Sequence, residues 1–139
     1  MSKYKLIETK ITDLKTLREV LEKLAPEFDV EPTFHQEPMH LHGFTGDIRP
    51  ELAHVVIDRR FLSGMANDVG WFQEDDGTIV AIVSAYDSKV VKTRNLVESV
   101  AWDCMVAQTL EQARREGYTI LETVRNVNGR VTDVVLDYA

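Results

Sequence analysis

The chain has 139 residues, of which 44% are hydrophobic and 28% charged, with few prolines and glycines. That is the make-up of one globular domain, taken here as residues 1–139, long enough to bury about two thirds of its unfolded surface without a disulfide or a structural metal. Its formal net charge of -7 disfavours nucleic-acid binding as the main task, because that affinity comes from Lys and Arg neutralising phosphates. The single cysteine, Cys104, forms no internal disulfide. No stretch approaches the ~20 apolar residues that span a bilayer, and "MSKYKLIETKITD" lacks the apolar run of a secretory signal. A cytoplasmic location is the expectation.

Alternation from Tyr4 to Ile11 predicts a strand, with Leu6 and Glu8 on one face and Ile7 and Thr9 on the other. "TDLKTLREVLEKLAP" then predicts a helix over residues 12–26. Thr12 or Asp13 would cap it, Leu14, Leu17, Leu21 and Leu24 would form its buried stripe, and Pro26 would end it. A strand at Met39–Phe44 and a turn at Thr45-Gly46-Asp47 follow, then a strand at Leu52–Asp58 and an irregular stretch at 61–67. Residues 68–87 read as two strands joined at Asp75-Asp76-Gly77. Asn95 to Glu116 is the long helix, with Gly117 as its left-handed end and Arg114 and Arg115 complementing its dipole. Its centre, "VAWDCMVA", is apolar nearly all round, which calls for cover on more than one side. The chain closes on a hairpin, 118–138, turning at Asn128-Gly129. Hairpins outnumber crossovers, so the fold class expected is α+β: a two-layer sandwich of a mostly antiparallel sheet with two helices.

The order of these elements, with "ETKITDLKTLREVLEKL", "HGFTG" before "AHVVID", "NDVGW" before "GTIVAIVSAYD" and the closing "NGRVTDVVLDY", resembles the hypothetical chloroplast reading frame thirty-five family. That family occurs in plastid genomes, cyanobacteria and other bacteria and has no assigned activity. The resemblance spans nearly the whole chain and implies a compact domain, stromal if plastid-encoded, with an AAA+ ATPase as a partner. It gives no support to the histidines as ligands, because arginine is frequent where His42 stands.

All four histidines fall between His35 and His54. On a strand, His40 and His42 would share a face, and His35 or His54 with Glu37 or Asp47 would complete a transition-metal site. The plainer reading is a strand face carrying solvated imidazoles. "HLHGFTGD" and "GDIRPELAH" echo the two cupin boxes, but here they overlap at Gly46-Asp47, and two long helices do not belong to that barrel. "GFTG" leads into Pro50 and a strand instead of a helix start, so it reads as a turn and not as a phosphate loop. Glu74-Asp75-Asp76 is a hairpin tip, too short for a calcium loop.

Cys104 lies mid-helix among apolar residues, where a thiol acts as a small hydrophobe. Asp103 beside it would need a partner if buried, with Arg94 or Arg125 as candidates, and otherwise reaches solvent. Trp71 and Phe72 point to opposite faces, one into the core and one outward. No base, nucleophile and oxyanion set emerges, so no catalytic residue and no cofactor are expected. The leading expectation is a non-enzymatic module binding another protein, or further copies of itself. It would use a sheet edge or the collar of the long helix, with Trp71, Trp102 and Asp103 at the interface. The alternative is a metal- or small-ligand-binding protein, possibly catalytic, built on His40, His42 and His54. Nucleic-acid binding ranks last.

Overall fold

The computed structural model describes residues 3–126 and 131–138. It holds two helices and seven strands in antiparallel sheets, which makes the fold α+β. Five strands form the main sheet: β1 (Tyr4–Glu8), β2 (Pro32–His42), β3 (Ile48–Ile57), β4 (Val69–Gln73) and β5 (Ile79–Ser84), in the spatial order β1-β5-β4-β3-β2. Helix α1 (Leu14–Phe28) carries the chain from the β1 edge to the β2 edge, and the meander β2 to β5 brings it back beside β1. Helix α2 (Val91–Arg115) follows, then β6 (Tyr118–Arg125) and β7 (Val131–Tyr138) as a separate ribbon. The expected turn at Asn128-Gly129 lies outside the described residues.

Both helices pack on one face of the sheet. Leu17, Val20, Leu21 and Leu24 of α1 meet Leu96, Val100 and Cys104 of α2 over Val55, Ile57, Val69, Trp71, Ile79, Ala81 and Val83. Asp13 starts α1 as its sequence suggests: one carboxylate oxygen accepts from Lys15 N–H at 2.9 Å and the other from the Thr16 hydroxyl at 3.0 Å. Pro26 does not end that helix. It sits inside the last turn, where its fixed φ is helical, and the helix runs to Phe28 before Asp29 turns left-handed at φ 54°.

Helix α2 begins at Val91, a turn earlier than Asn95, because buried Thr93 continues the stripe of Leu96, Val100 and Cys104 backwards. Its apolar collar is covered on three sides: by the sheet, by α1 near Val20, and by the ribbon, where the Trp102 indole donates to the Val131 carbonyl at 2.6 Å. Gly117 takes φ 91°, the left-handed end expected for it.

Strand β1 stops at Glu8 and not Ile11, because the Thr9 hydroxyl turns to the Ile79 carbonyl and to Ile11 N–H. Strands β2 and β3 start well before their expected positions, at Pro32 and Ile48. Their register slips between Phe34 and Met39 and again between His40 and His42. Strand β3 pairs with β4 only over Val55–Ile57. Beyond Val55 the outer parts of β2 and β3 leave the sheet as an arm that folds over its helix-free face. Leu41 and Ala53 of that arm pack on Val80 and Ile82 of β5, and the Arg49 guanidinium lies 5.1 Å from the centre of the Tyr4 ring on β1.

Gly70 makes this fold-over possible. A Cβ there would lie 2.6 Å from the Ala53 Cβ and 3.0 Å from Leu41 Cδ2. Only a residue without a side chain lets the arm come so close.

Candidate functional site: an acid-rimmed cleft under the arm

The four histidines are drawn into different surroundings. His40 Nδ1 donates to the Arg49 carbonyl at 2.8 Å, which fixes its proton on that nitrogen. His42 lies with Nδ1 3.5 Å from a carboxylate oxygen of Asp68. His54 Nδ1 accepts from Gln73 N–H at 3.1 Å, standing in for the carbonyl that the next β3–β4 rung would have supplied, and its ring stacks on Phe72. His54 also shares a small cleft beside α1 with His35, whose ring nitrogen bonds the Thr33 hydroxyl. His40, His42 and His54 therefore do not form a three-ligand set. Among the described residues no group of three or more His, Cys, Asp or Glu is arranged to hold a metal ion.

His42 belongs instead to a buried polar hub that the sequence reading did not single out. Asp68 accepts from His42 N–H at 2.8 Å and from Arg59 N–H at 2.9 Å, with the Arg59 guanidinium 3.5 Å away. The Tyr4 hydroxyl donates to the Asp68 carbonyl at 2.7 Å. Burial first, then the Asp68 charge, push the Tyr4 phenol above its ordinary value, so it stays protonated and remains a donor. Next door, Asp87 accepts from Asn67 N–H at 2.9 Å and from the Ser84 hydroxyl at 2.7 Å, while Asn67 Oδ1 accepts from Phe44 N–H at 3.1 Å. These bonds tie β1, the β2–β3 turn, the loop after β3 and the approach to α2 into one unit. Both Asp68 carboxylate oxygens accept backbone N–H groups and so hold the arm down. Asn67, Ser84 and Asp87 also bond one another through their side chains, and Asp87 Oδ1 is buried with no partner among the described residues. The run "NDVGW" was the available signal: two buried polar residues, Asn67 and Asp68, stand three and two positions before the close-contact glycine, Gly70.

The turn at the arm's tip is closed by Gly43 N–H on the Asp47 carbonyl and Gly46 N–H on the Gly43 carbonyl, with Gly46 at φ 86°, a value an L-residue rarely adopts. "GFTG" is thus a backbone turn, as read from the sequence.

The interface candidates move as well. Trp71 is 1% exposed and belongs to the main core, so it offers nothing to a partner, and Phe72 is the aromatic that faces the open side. Trp102 is half-buried and tethers the ribbon. Asp103 is half-buried in a groove with Glu19 and Lys23 of α1 and Arg125 of β6. Burial, with Asp103 and Asp13 adding to it, pushes the Cys104 thiol up to about 12, which removes it as a nucleophile.

Among the described residues a groove of about 630 Å³ runs between the start of α1 and the end of α2, and the fold-over creates a second concavity. Between the arm (Pro50, Glu51, Leu52) and the tip of the β4–β5 hairpin (Glu74, Asp75, Asp76) lies a cleft of about 660 Å³. Val80, Ile82, Phe72 and Leu6 form its floor. Leu6 stands opposite Ile82 in the β1–β5 register and is 64% exposed. Its rim is acidic throughout, and no Lys, Arg or His lines it. Glu51 lines the cleft, and its Oε1 is buried without a hydrogen-bond partner among the described residues, as are Asp87 Oδ1, Ser63 Oγ and Thr93 Oγ1 elsewhere.

Comparison with protein-family models, with curated proteins and with solved structures finds no match to this chain. Among the described residues no helix is long and apolar enough to cross a membrane.

Proposed function

We propose that this domain is a non-enzymatic interaction module, and that the cleft between the folded arm and the hairpin tip is its docking surface. Exposed leucine on the floor of this cleft, at the β1 side of the sheet, carries this reading. Leu6 and Leu52 stay in water beside Phe72, where a strand used only for folding would carry polar side chains outward. The surface differs from the helix collar expected from sequence, which is partly covered by the chain's own elements and leaves Ala101 and Met105 exposed. An AAA+ ATPase, the partner implied by the family resemblance, is the first candidate to test. The test compares proteins retained by the wild type with those retained by Leu6→Thr/Leu52→Thr, which keeps strand propensity and removes the apolar contact. The reading expects a discrete partner held by the wild type and lost from the double variant. An identical set on both would overturn it.

A second reading, binding of a small apolar ligand, draws on the cleft's volume, which falls within the range of small-molecule sites. It expects a ligand, not a protein, to be lost from the double variant.

A further inference from the structure

Resting on the cleft as the docking surface, we propose that its occupant is a basic amphipathic segment of a partner protein, with apolar side chains on Leu6, Leu52 and Phe72 and a Lys or Arg reaching Glu51.

Three observations converge on that chemistry. Four carboxylates, Glu51, Glu74, Asp75 and Asp76, surround an apolar floor with no cation among the lining residues. Asp76 uses one oxygen to cap its own turn, on Thr78 N–H at 2.9 Å, and the others face outward from an exposed tip. Glu51, a lining residue, adds to the charge argument. A carboxylate oxygen withdrawn from water with no donor is costly, and an incoming ammonium or guanidinium relieves that cost by a charge-assisted bond.

The same charges reject the other macromolecular occupants. Phosphate backbones and anionic lipid surfaces are repelled by a one-sign rim on a chain of net charge -7. A second copy carries the same net charge of -7 and is repelled as a whole, and self-association is a named outcome of the test below. A helical or extended partner segment with Lys or Arg flanking Leu-type residues fits both floor and rim.

The test titrates the whole chain with a short amphipathic peptide of leucine and lysine, and with matched leucine–glutamate and serine–lysine peptides. Glu74→Lys/Asp75→Lys cancels the net charge of the rim, while Glu19→Lys/Glu98→Lys changes net charge equally on the helices. Binding by the leucine–lysine peptide alone is expected, weakened about tenfold by the rim pair and less than about twofold by the helix pair. Glu51→Gln is expected to weaken it severalfold. Equal binding of the leucine–glutamate peptide, equal loss in both charge pairs, or self-association abolished by Leu6→Thr would each overturn the proposal. Failure of the leucine–lysine peptide, with a cellular partner still lost from Leu6→Thr/Leu52→Thr, sinks the basic segment but leaves the docking surface standing. An unchanged partner set in that double variant sinks the surface itself.

Discussion

His42 and Asp68 hold each other twice: His42 N–H donates to the Asp68 carboxylate at 2.8 Å, and Asp68 N–H donates back to the His42 carbonyl at 2.9 Å. The pair joins the end of β2 to the loop before β4 across 26 residues of sequence. The arm that roofs the cleft is pinned at this point, so the pair links core chemistry to the docking surface.

Asp68→Asn should therefore be severe. The carboxylate receives two backbone N–H groups, and an amide presents a donor to one of them. A loss of about 2–4 kcal/mol in urea unfolding is expected, from an unsatisfied buried donor and a lost charge-assisted bond. His42→Gln keeps both backbone bonds and should cost under about 1 kcal/mol. Equal costs for the two variants would contradict this assignment of the hub.

Gly70→Ala places a methyl group against Ala53 and Leu41, whose positions are fixed by their own packing. Overpacking of this kind costs about 1–3 kcal/mol. Gly64→Ala, where a Cβ would meet nothing within 4 Å, serves as the control and should be near neutral. Ala53→Gly/Gly70→Ala should lose less stability than the two single losses added together; strict additivity would contradict the contact.

Cys104 should ignore thiol reagents at neutral pH while the chain is folded. Its thiol is pushed up to about 12 and is fully enclosed, so reaction with a disulfide reagent should wait on unfolding. Reaction in native buffer at the rate of the denatured chain would show that α2 is far more open than its packing implies.

Acid should erase one small contribution at the loop after β3. Asp58 caps the short helical turn Arg59–Phe61, accepting from Arg60 N–H at 2.9 Å. Burial raises its pKa, but that bond and the Arg60 and Arg59 charges outweigh it and leave the carboxyl below its ordinary 3.8. A lowered folded value means the stabilisation is fully present above the unfolded pKa and is lost as pH falls through the folded one. Asp58→Ala should thus cost about 1 kcal/mol near neutral pH, a typical capping value, and almost nothing at the acid end. A cost that does not change with pH would point to packing, not charge.

Much of the fold was legible because it is local. The leucine stripe of α1, the Asp13 cap, the 74–78 hairpin and the apolar α2 collar each obey a short-range rule. Three prolines hid the full length of β2 and β3. Pro32 and Pro38 are tolerated because β2 is an edge strand slipped between Phe34 and Met39, and Pro50 falls in the part of β3 that has left β4. The cleft was not legible at all. It depends on the arm crossing to β1, which brings Arg49 to Tyr4, and no local pattern encodes a contact of that sequence separation. Trp71 shows the converse: aromatic bulk flagged it as an interface residue, while its register beside Val55 and Ala81 placed it in the core.

The account stands or falls on whether a protein docks in the cleft. A photo-crosslinking amino acid at position 52, compared in cells with the same group at position 98 on the outer face of α2, tests this directly. The account predicts a discrete adduct from position 52, weakened by Leu6→Thr, and none of that size from position 98. No adduct from position 52, or the same adducts from both positions, would contradict it.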